Sequence, residues 1–236
     1  MKILGKAGTL IFLEKKQHKY NYIIPPLLKF SKKFYYKNKE KISNDVFKKF
    51  FKKKIIIRSS SKNEDNLNQS NAGKYDSYQI NDLSIFNIQK YSDEVFKKLN
   101  NDDEIIFQEY IYKPDYAGVI FTREINSNAP YYSINLDSSG KTDTITSGAS
   151  GTQIKNIIIC RNYTHKSKYR KLLTTVKNIE YLINDNRLDI EFCVKNKKIF
   201  IVQCRPLKRV SGKIDDKLVY SALKNIEKKF SNLQNS

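Results

Sequence analysis

The chain has 236 residues, of which 39% are hydrophobic and 29% are charged. This length allows one large domain or two small lobes, and the apolar content is enough for a buried core, which excludes wholesale disorder. Apolar stretches such as Ile55–Ile57 are far too short to cross a bilayer, and residues 1–6 lack the apolar run of a signal peptide. Three cysteines without metal-type spacing predict reduced, structural thiols in a cytoplasmic protein.

The net charge of +20 arises from 37 lysines and only 7 arginines. The lysines are spread along the chain and are densest over residues 29–54. A nucleic-acid-binding protein more often concentrates arginine, which makes bidentate and stacking contacts. The charge therefore predicts affinity for anions such as phosphates, and a basic nucleic-acid-binding protein stays open as a less favoured alternative.

Apolar periodicity and β-branched runs predict nine elements along the chain. In order they are a helix over 5–16, a strand over 55–58, a helix over 84–100, strands over 105–111, 118–123 and 131–136, a helix over 167–182, a β-hairpin over 189–205 and a helix over 215–230. This order predicts an α+β protein with two lobes. The predicted divisions are an N-terminal lobe (1–104), a C-terminal lobe (105–210) and a helix or linker toward a further domain (211–236).

The hairpin over 189–205 has the most informative pattern. A three-residue turn at Asn196–Lys198 would place six apolar residues on one face, because side chains alternate along a strand. The predicted apolar pairs are Ile190 with Cys204, Phe192 with Val202, and Val194 with Phe200. Cys193 and Ile201 are then expected on the opposite face.

That opposite face pairs Glu191 with Gln203 and Asp189 with Arg205. Carboxylate and amide oxygens are the ligands that Mg²⁺ prefers, and an arginine beside them can neutralise phosphate oxygens. The pattern predicts a magnesium and phosphate site. The alternative is a solvated face with an ordinary cross-strand Asp–Arg pair.

Other candidate anion-binding groups lie elsewhere in the chain. Lys6 lies between two glycines at a helix start, where free N–H groups suit a phosphate. Arg58 and Arg123 each end an apolar run, which favours a position at the edge of a cleft. The small-residue loop at 148–151 could close over phosphates. The alternatives are a surface lysine, an arginine paired with a nearby acid, and an ordinary surface loop.

Six short segments between residues 4 and 207 form a recognisable pattern through their residues and the order in which they follow one another. They are Gly5–Ala7, Ile57–Ser61 with Glu64 and Asp65, Asn71–Gly73, Phe107–Glu109, Gly118–Arg123, and Asp189–Glu191 with Val202–Pro206. Together they resemble the ATP-binding domain of the pyruvate phosphate dikinase and phosphoenolpyruvate synthase family, which has an ATP-grasp fold. Residues 129–148 resemble a compact subgroup from bacterial capsule and surface-polysaccharide gene clusters that includes an L-glutamine kinase.

The resemblance implies a role for each matching position. Four basic residues would contact the ATP phosphates and act in catalysis: Lys6, Arg58, Arg123 and Arg205. Three oxygen ligands would hold Mg²⁺: Glu191, Gln203 and, assisting them, Asp189. The connection against which adenine lies would comprise Gln108, Glu109, Tyr110 and Ile111, acting through backbone groups.

The resemblance implies an ATP-dependent phosphotransferase, with ATP and Mg²⁺ as cofactors and no membrane partner. Family enzymes pass a phosphoryl group to a histidine on a swivelling carrier domain and then to a small-molecule acceptor, which in the narrower subgroup is the glutamine amide. Neither His18 nor His165 resembles the carrier segment, and the chain is shorter than the usual ATP domain. We therefore expect a carrier domain in the same or a partner chain. A non-catalytic nucleotide-sensing module is the alternative.

Overall fold

A computed structural model describes residues 5–61, 77–137, 154–207 and 214–234. The helices in these ranges are α1 (Lys6–Glu14), α2 (Lys32–Lys37), α3 (Lys39–Lys49), α4 (Ile85–Phe96), α5 (Arg170–Ile183) and α6 (Asp216–Gln234). The strands are β1 (Leu27–Ser31), β2 (Ile55–Ser60), β3 (Ser77–Ile80), β4 (Glu104–Glu109), β5 (Tyr116–Phe121), β6 (Tyr131–Asp137), β7 (Ile154–Cys160), β8 (Leu188–Lys195) and β9 (Lys198–Pro206).

The first lobe contains a four-stranded antiparallel sheet in the order β1-β4-β2-β3. One face of this sheet packs with α3 and α4 around a core that includes Ile57, Phe107 and Val95. Because side chains alternate along a strand, Arg58 and Gln108 lie on the opposite face. That face is turned toward the second lobe, since Arg58 contacts side chains of β8 and β9.

The helices begin and end where local chemistry favours it. The Ser84 hydroxyl accepts a hydrogen bond from the Asn87 N–H at 3.1 Å and so caps the first turn of α4. Asn184 ends α5 in the left-handed region with φ of 58°. This conformation is common at helix C-termini and is tolerated by asparagine. The start of α4 and the end of α5 therefore depend on residue types that can be read from the sequence.

The second lobe contains a five-stranded antiparallel sheet in the order β7-β6-β5-β8-β9. Its apolar face packs with α1 and α5, where Leu10, Leu13, Leu173 and Val176 are buried. The predicted division at residue 104 differs from this arrangement in two ways. β4 belongs to the first sheet, so a division at 104 would separate it from β1 and β2. Conversely, α1 contributes its apolar side chains to the core of the second lobe.

The β8–β9 hairpin confirms three predicted pairs and corrects two. The structure pairs Ile190 with Cys204, Glu191 with Gln203, and Asp189 with Arg205, as predicted. The turn has two residues rather than three, Asn196–Lys197, which both adopt positive φ as type I′ hairpin turns require. In place of the two predicted pairs, Phe192 with Val202 and Val194 with Phe200, the structure pairs Phe192 with Ile201, Cys193 with Phe200 and Val194 with Ile199.

A β-bulge reconciles the two-residue turn with the predicted pairs at the open end. The register shifts after Glu191, which leaves Val202 as an extra residue on β9. Ile201 therefore enters the buried core in place of Val202, contrary to the expectation that it lies on the opposite face. The polar pairs keep their predicted side because the bulge lies between them and the turn.

Gly118 on β5 is closely surrounded by atoms of the neighbouring strands, which predicts a strong effect of a single added methyl group. A Cβ atom at this position would lie 2.5 Å from the Asn135 carbonyl oxygen and 2.9 Å from Cζ of Phe192. Since the carbonyl belongs to the neighbouring strand, it cannot move aside without shifting the sheet. We expect Gly118→Ala to lower the free energy of unfolding by about 1–3 kcal/mol, measured by urea denaturation. An unchanged transition midpoint would contradict this packing.

The predicted C-terminal helix is confirmed as α6. Val219 and Leu223 of its apolar stripe are half-buried, whereas Ile226 and Phe230 are 50% and 65% exposed. The described residues thus cover only the first half of the stripe. None of the helices in the described ranges has both the length and the apolar character needed to span a bilayer.

Candidate functional site

The central contact of the candidate site joins the two sheets. Arg58 of β2 donates from Nη1 to Oε2 of Glu191 at 3.1 Å and to Oε1 of Gln203 at 3.4 Å. The Arg58 and Glu191 side chains are 17% and 13% exposed, so the ion pair is largely shielded from water. The carboxylate and the amide therefore face the cleft together, and an arginine from the opposite sheet reaches both.

A second ion pair lies beside the first on the same face of the hairpin. Arg205 donates from Nε to Oδ2 of Asp189 at 2.8 Å. The other carboxylate oxygen of Asp189, Oδ1, is buried and has no hydrogen-bond partner among the described residues. Burial raises the pKa of Asp189, and the nearby Glu191 raises it further, while Arg205 and Lys6 act in the opposite direction. The net increase means that this carboxylate has less compensating positive charge than its burial requires.

Lys6 is the first residue of α1 and lies close enough to Asp189 to favour its charged form. The start of the helix is tied to the first lobe by a hydrogen bond of 3.3 Å from the Ala7 N–H to Oγ of Ser60. Ser60 ends β2, the strand that carries Arg58. This bond places two of the predicted phosphate-binding cations, Lys6 and Arg58, at the same end of the cleft.

The oxygen atoms of this cluster fit a magnesium ion. Asp189 Oδ1 lacks a partner, and the Glu191 carboxylate and the Gln203 carbonyl converge on one guanidinium. Carboxylate and amide oxygens are hard ligands suited to Mg²⁺. The described ranges contain no group of three or more His, Cys, Asp or Glu side chains able to hold a metal ion. A magnesium site here would therefore need the amide oxygen and further oxygens from a bound ligand or water.

The four residues of the predicted adenine connection have different environments. Gln108 is 1% exposed, and its Nε2 is buried with no partner among the described residues. The Glu109 carboxylate pairs with Lys53, and its N–H donates to the Pro26 carbonyl at 3.0 Å. The Tyr110 N–H donates to the Lys54 carbonyl at 2.9 Å, and Ile111 is half-buried. Gln108 thus presents an unsatisfied amide on the cleft face, whereas two of the backbone N–H groups are already used.

Arg123 forms its ion pair with the C-terminal helix α6. The residue is buried, with 8% of its surface exposed, and its guanidinium forms a bidentate pair with Asp216 of α6, at 2.7 and 2.8 Å. It also donates to the Asn128 carbonyl at 3.1 Å. The structure places this predicted phosphate ligand in a contact with the C-terminal helix.

Two groups with positional roles were missed by the sequence analysis. Ser60 anchors the start of α1, and although it lies in the family-like segment Ile57–Ser61, no role was predicted for it. Asp216 binds Arg123 across 93 residues of sequence, and no local pattern marks it. The predicted small-residue loop at 148–151 and the family-like segments Glu64–Asp65 and Asn71–Gly73 lie outside the described residues.

No family model matches the chain. A search of curated proteins finds no match either. Solved structures do match, among them a RimK domain protein ATP-grasp from Sphaerobacter thermophilus, with 9% identity, a TM-score of 0.50 and coverage of 87% of this chain and 60% of that one. The macrocyclase MdnC of Microcystis aeruginosa, solved with its precursor peptide MdnA, matches with 11% identity, a TM-score of 0.49 and coverage of 86% and 53%.

A third match is D-alanyl-alanine synthetase A from Vibrio cholerae, with 12% identity, a TM-score of 0.45 and coverage of 86% of this chain and 59% of that one. The chain spans between about half and three fifths of the length of these three proteins. At such low identity the likeness concerns the fold alone. The predicted fold class is confirmed: the chain has a two-lobed α+β architecture of the ATP-grasp type.

Proposed function

We propose that this chain is the ATP- and Mg²⁺-binding module of a phosphotransferase related to pyruvate phosphate dikinase and phosphoenolpyruvate synthase. The observation that carries the proposal is the reach of Arg58 from one sheet to Glu191 and Gln203 on the other. The family resemblance implies phosphate binding for Arg58 and metal binding for Glu191 and Gln203. Their convergence in the cleft of an ATP-grasp fold supports that assignment.

The side chains of the cleft suit a triphosphate. Lys6, Arg58 and Arg205 supply positive charge on one side of Asp189 and Glu191. Catalysis of phosphoryl transfer consists largely of positioning and electrostatic stabilisation, which such cations provide. Glu191, Gln203 and Asp189 would hold a bound Mg²⁺, which would neutralise part of the phosphate charge. The buried amide of Gln108 supplies a hydrogen-bonding group on the face where the base would lie.

The acceptor side of the reaction must be completed outside these residues. His18 is an exposed residue of a short 3₁₀ helix, Gln17–Lys19, and the side chain of His165 lies outside the described set. We therefore infer that the phosphoryl group passes to a histidine on a separate carrier domain and then to a small molecule. The narrower resemblance supports the glutamine amide as acceptor, in the synthesis of a capsule or surface polysaccharide.

Calorimetric titration tests the proposed cofactors directly. We expect the protein to bind ATP with Mg²⁺ present and to bind it at least about tenfold more weakly in excess EDTA, because the metal screens the carboxylates from the phosphates. Glu191→Ala should abolish the Mg²⁺ dependence. Glu40→Ala, which removes an exposed glutamate from α3, should leave it unchanged. Equal ATP affinity with and without Mg²⁺ would contradict the metal site.

The non-catalytic alternative makes a different prediction for the same site. A nucleotide-sensing module binds Mg·ATP but does not cleave it. Positional isotope exchange in ATP, measured with the carrier domain added, therefore distinguishes the two functions. Exchange that depends on Glu191 supports the phosphotransferase, and binding without exchange supports the sensor.

A further inference from the structure

The C-terminal helix α6 is attached to the second lobe through a buried arginine. Both terminal nitrogens of Arg123 donate to the two oxygens of Asp216, at 2.7 and 2.8 Å. The Arg123 side chain is 9% exposed, and its Nε is buried without a partner among the described residues. A planar, bidentate contact of this kind is also how arginine binds phosphate. The Asp216 carboxylate therefore stands where an oxyanion would bind.

The rest of α6 is held loosely. Its residues from Ser221 to Leu233 are exposed wherever burial is described, except for Leu223. A further side-chain hydrogen bond from the described part of α6 to the second lobe joins Tyr163 Oη to Glu227 Oε2 at 2.8 Å and is exposed to solvent. A helix with few buried contacts can detach at low cost in free energy. The Asp216 contact therefore holds the start of α6 together with the half-buried side chains of Val219, Tyr220 and Leu223.

The position of Arg123 connects this attachment to the cleft. Phe121, the last residue of β5, pairs with Asp189 of β8, and Arg123 follows the end of β5 by two residues. Arg187, which precedes β8, donates to the side-chain oxygen of Asn128, whose carbonyl accepts from Arg123. Two guanidinium groups thus gather around Asn128, at the end of the strands that carry Asp189 and Phe121.

We propose that Arg123 is an anion-binding residue of the cleft whose ligand in this conformation is the Asp216 carboxylate. A ligand that bears phosphate groups competes with Asp216 for Arg123 and releases α6. The two binding events are linked. The factor by which bound phosphate weakens the docking of α6 therefore equals the factor by which docked α6 weakens phosphate binding. This inference rests on the proposed function and adds a regulatory contact to its site.

Replacing Asp216 by asparagine tests the competition, because it removes the negative charge from a side chain that is itself 35% exposed. We expect Asp216→Asn to tighten the binding of both inorganic pyrophosphate and Mg·ATP by about fivefold or more. Glu227→Gln removes the same charge from the same helix but contacts Tyr163 rather than Arg123, and we expect it to bind like the wild type. Hydrogen exchange gives a second measure. The amides of α6 should exchange faster in wild type saturated with pyrophosphate, and equally fast in Asp216→Asn without ligand.

The outcomes separate this inference from the proposed function. Wild-type binding of Mg·ATP combined with unchanged affinity in Asp216→Asn overturns the competition and leaves the proposed function intact. An equal gain in affinity in Glu227→Gln also overturns it, since the effect would then be general charge. Failure of the wild type to bind Mg·ATP contradicts the proposed function. In that case the pyrophosphate measurement still tests the competition. If the hydrogen exchange of the α6 amides is unchanged at saturating pyrophosphate, the competition is overturned as well.

Discussion

Arg58→Ala is expected to weaken Mg·ATP binding by a factor of ten or more. The substitution removes a charged donor from the cleft, and hydrogen bonds to charged groups contribute about 1.5–3 kcal/mol each. It also leaves the Glu191 carboxylate, only 13% exposed, without the guanidinium that now holds it. We therefore expect a moderate loss of stability, of about 1–3 kcal/mol, alongside the loss of binding. Calorimetric titration and urea denaturation measure the two effects separately.

Two further variants distinguish charge from geometry at this position. Arg58→Lys keeps the charge, but an ammonium group lacks the planar fork of donors, so we expect only partial recovery of binding. Arg170→Ala removes an exposed arginine from the first turn of α5 and should change neither binding nor stability. Wild-type affinity in Arg58→Ala would exclude Arg58 from the phosphate site.

The open end of the β8–β9 hairpin could be predicted because its pattern is local and redundant. Glu191 with Gln203 and Asp189 with Arg205 are separated by apolar positions, and a one-residue slip would have buried the charges. At the turn end of the hairpin, a slipped register would not have buried any charged residue. Phe200, Ile201 and Val202 are all apolar, so the sequence could not decide which of them enters the core, and the bulge settled it.

Two other features of the fold escaped prediction, the helix α3 and the placement of α1. The lysine-rich region was interpreted through its charge, yet Ile42, Val46 and Phe50 are buried against the first sheet at helical spacing. Lysines on both sides of these residues obscured the apolar stripe of α3. Similarly, the placement of α1 in the second lobe depends on the path of residues 20–24, which returns the chain alongside β9.

The same limit applies to the candidate site. Family resemblance named Arg58 and Glu191 independently, and only the tertiary structure shows that they touch. Arg123 was assigned to phosphate on the same grounds, but its contact with Asp216 depends on how α6 returns to the end of β5. Local pattern identifies which residues can bind an anion, whereas tertiary structure decides which anion they meet.

Asp189→Asn is expected to separate stability from function. In the wild type the buried Asp189 carboxylate has one oxygen without a partner, and burial raises its pKa. An acid whose pKa is raised on folding destabilises the folded state at any pH above its unfolded value. The neutral amide should therefore increase the free energy of unfolding at pH 7, by about 0.5–2 kcal/mol. Mg²⁺-dependent ATP turnover, measured with the carrier domain added, should fall at least about tenfold.

The pH dependence provides a specific check of this interpretation. Below the pKa of an unfolded aspartate, about 3.9, the wild-type side chain is protonated in both states, so its stability should approach that of the variant. The stability gained by Asp189→Asn should then grow as the pH rises through the raised pKa of the folded state. Asp45→Asn, at an exposed position of α3, should differ little from wild type at either pH.

If Asp189 is a magnesium ligand, Mg²⁺ should stabilise the wild type more than it stabilises Asp189→Asn. A cation bound at the Asp189 carboxylate compensates its burial, so Mg²⁺ with a nucleotide should raise the melting temperature of the wild type more than that of Asp189→Asn. Equal increases would exclude Asp189 from the metal site. A variant less stable than the wild type at pH 7 would instead show that the ion pair with Arg205 outweighs the cost of burial.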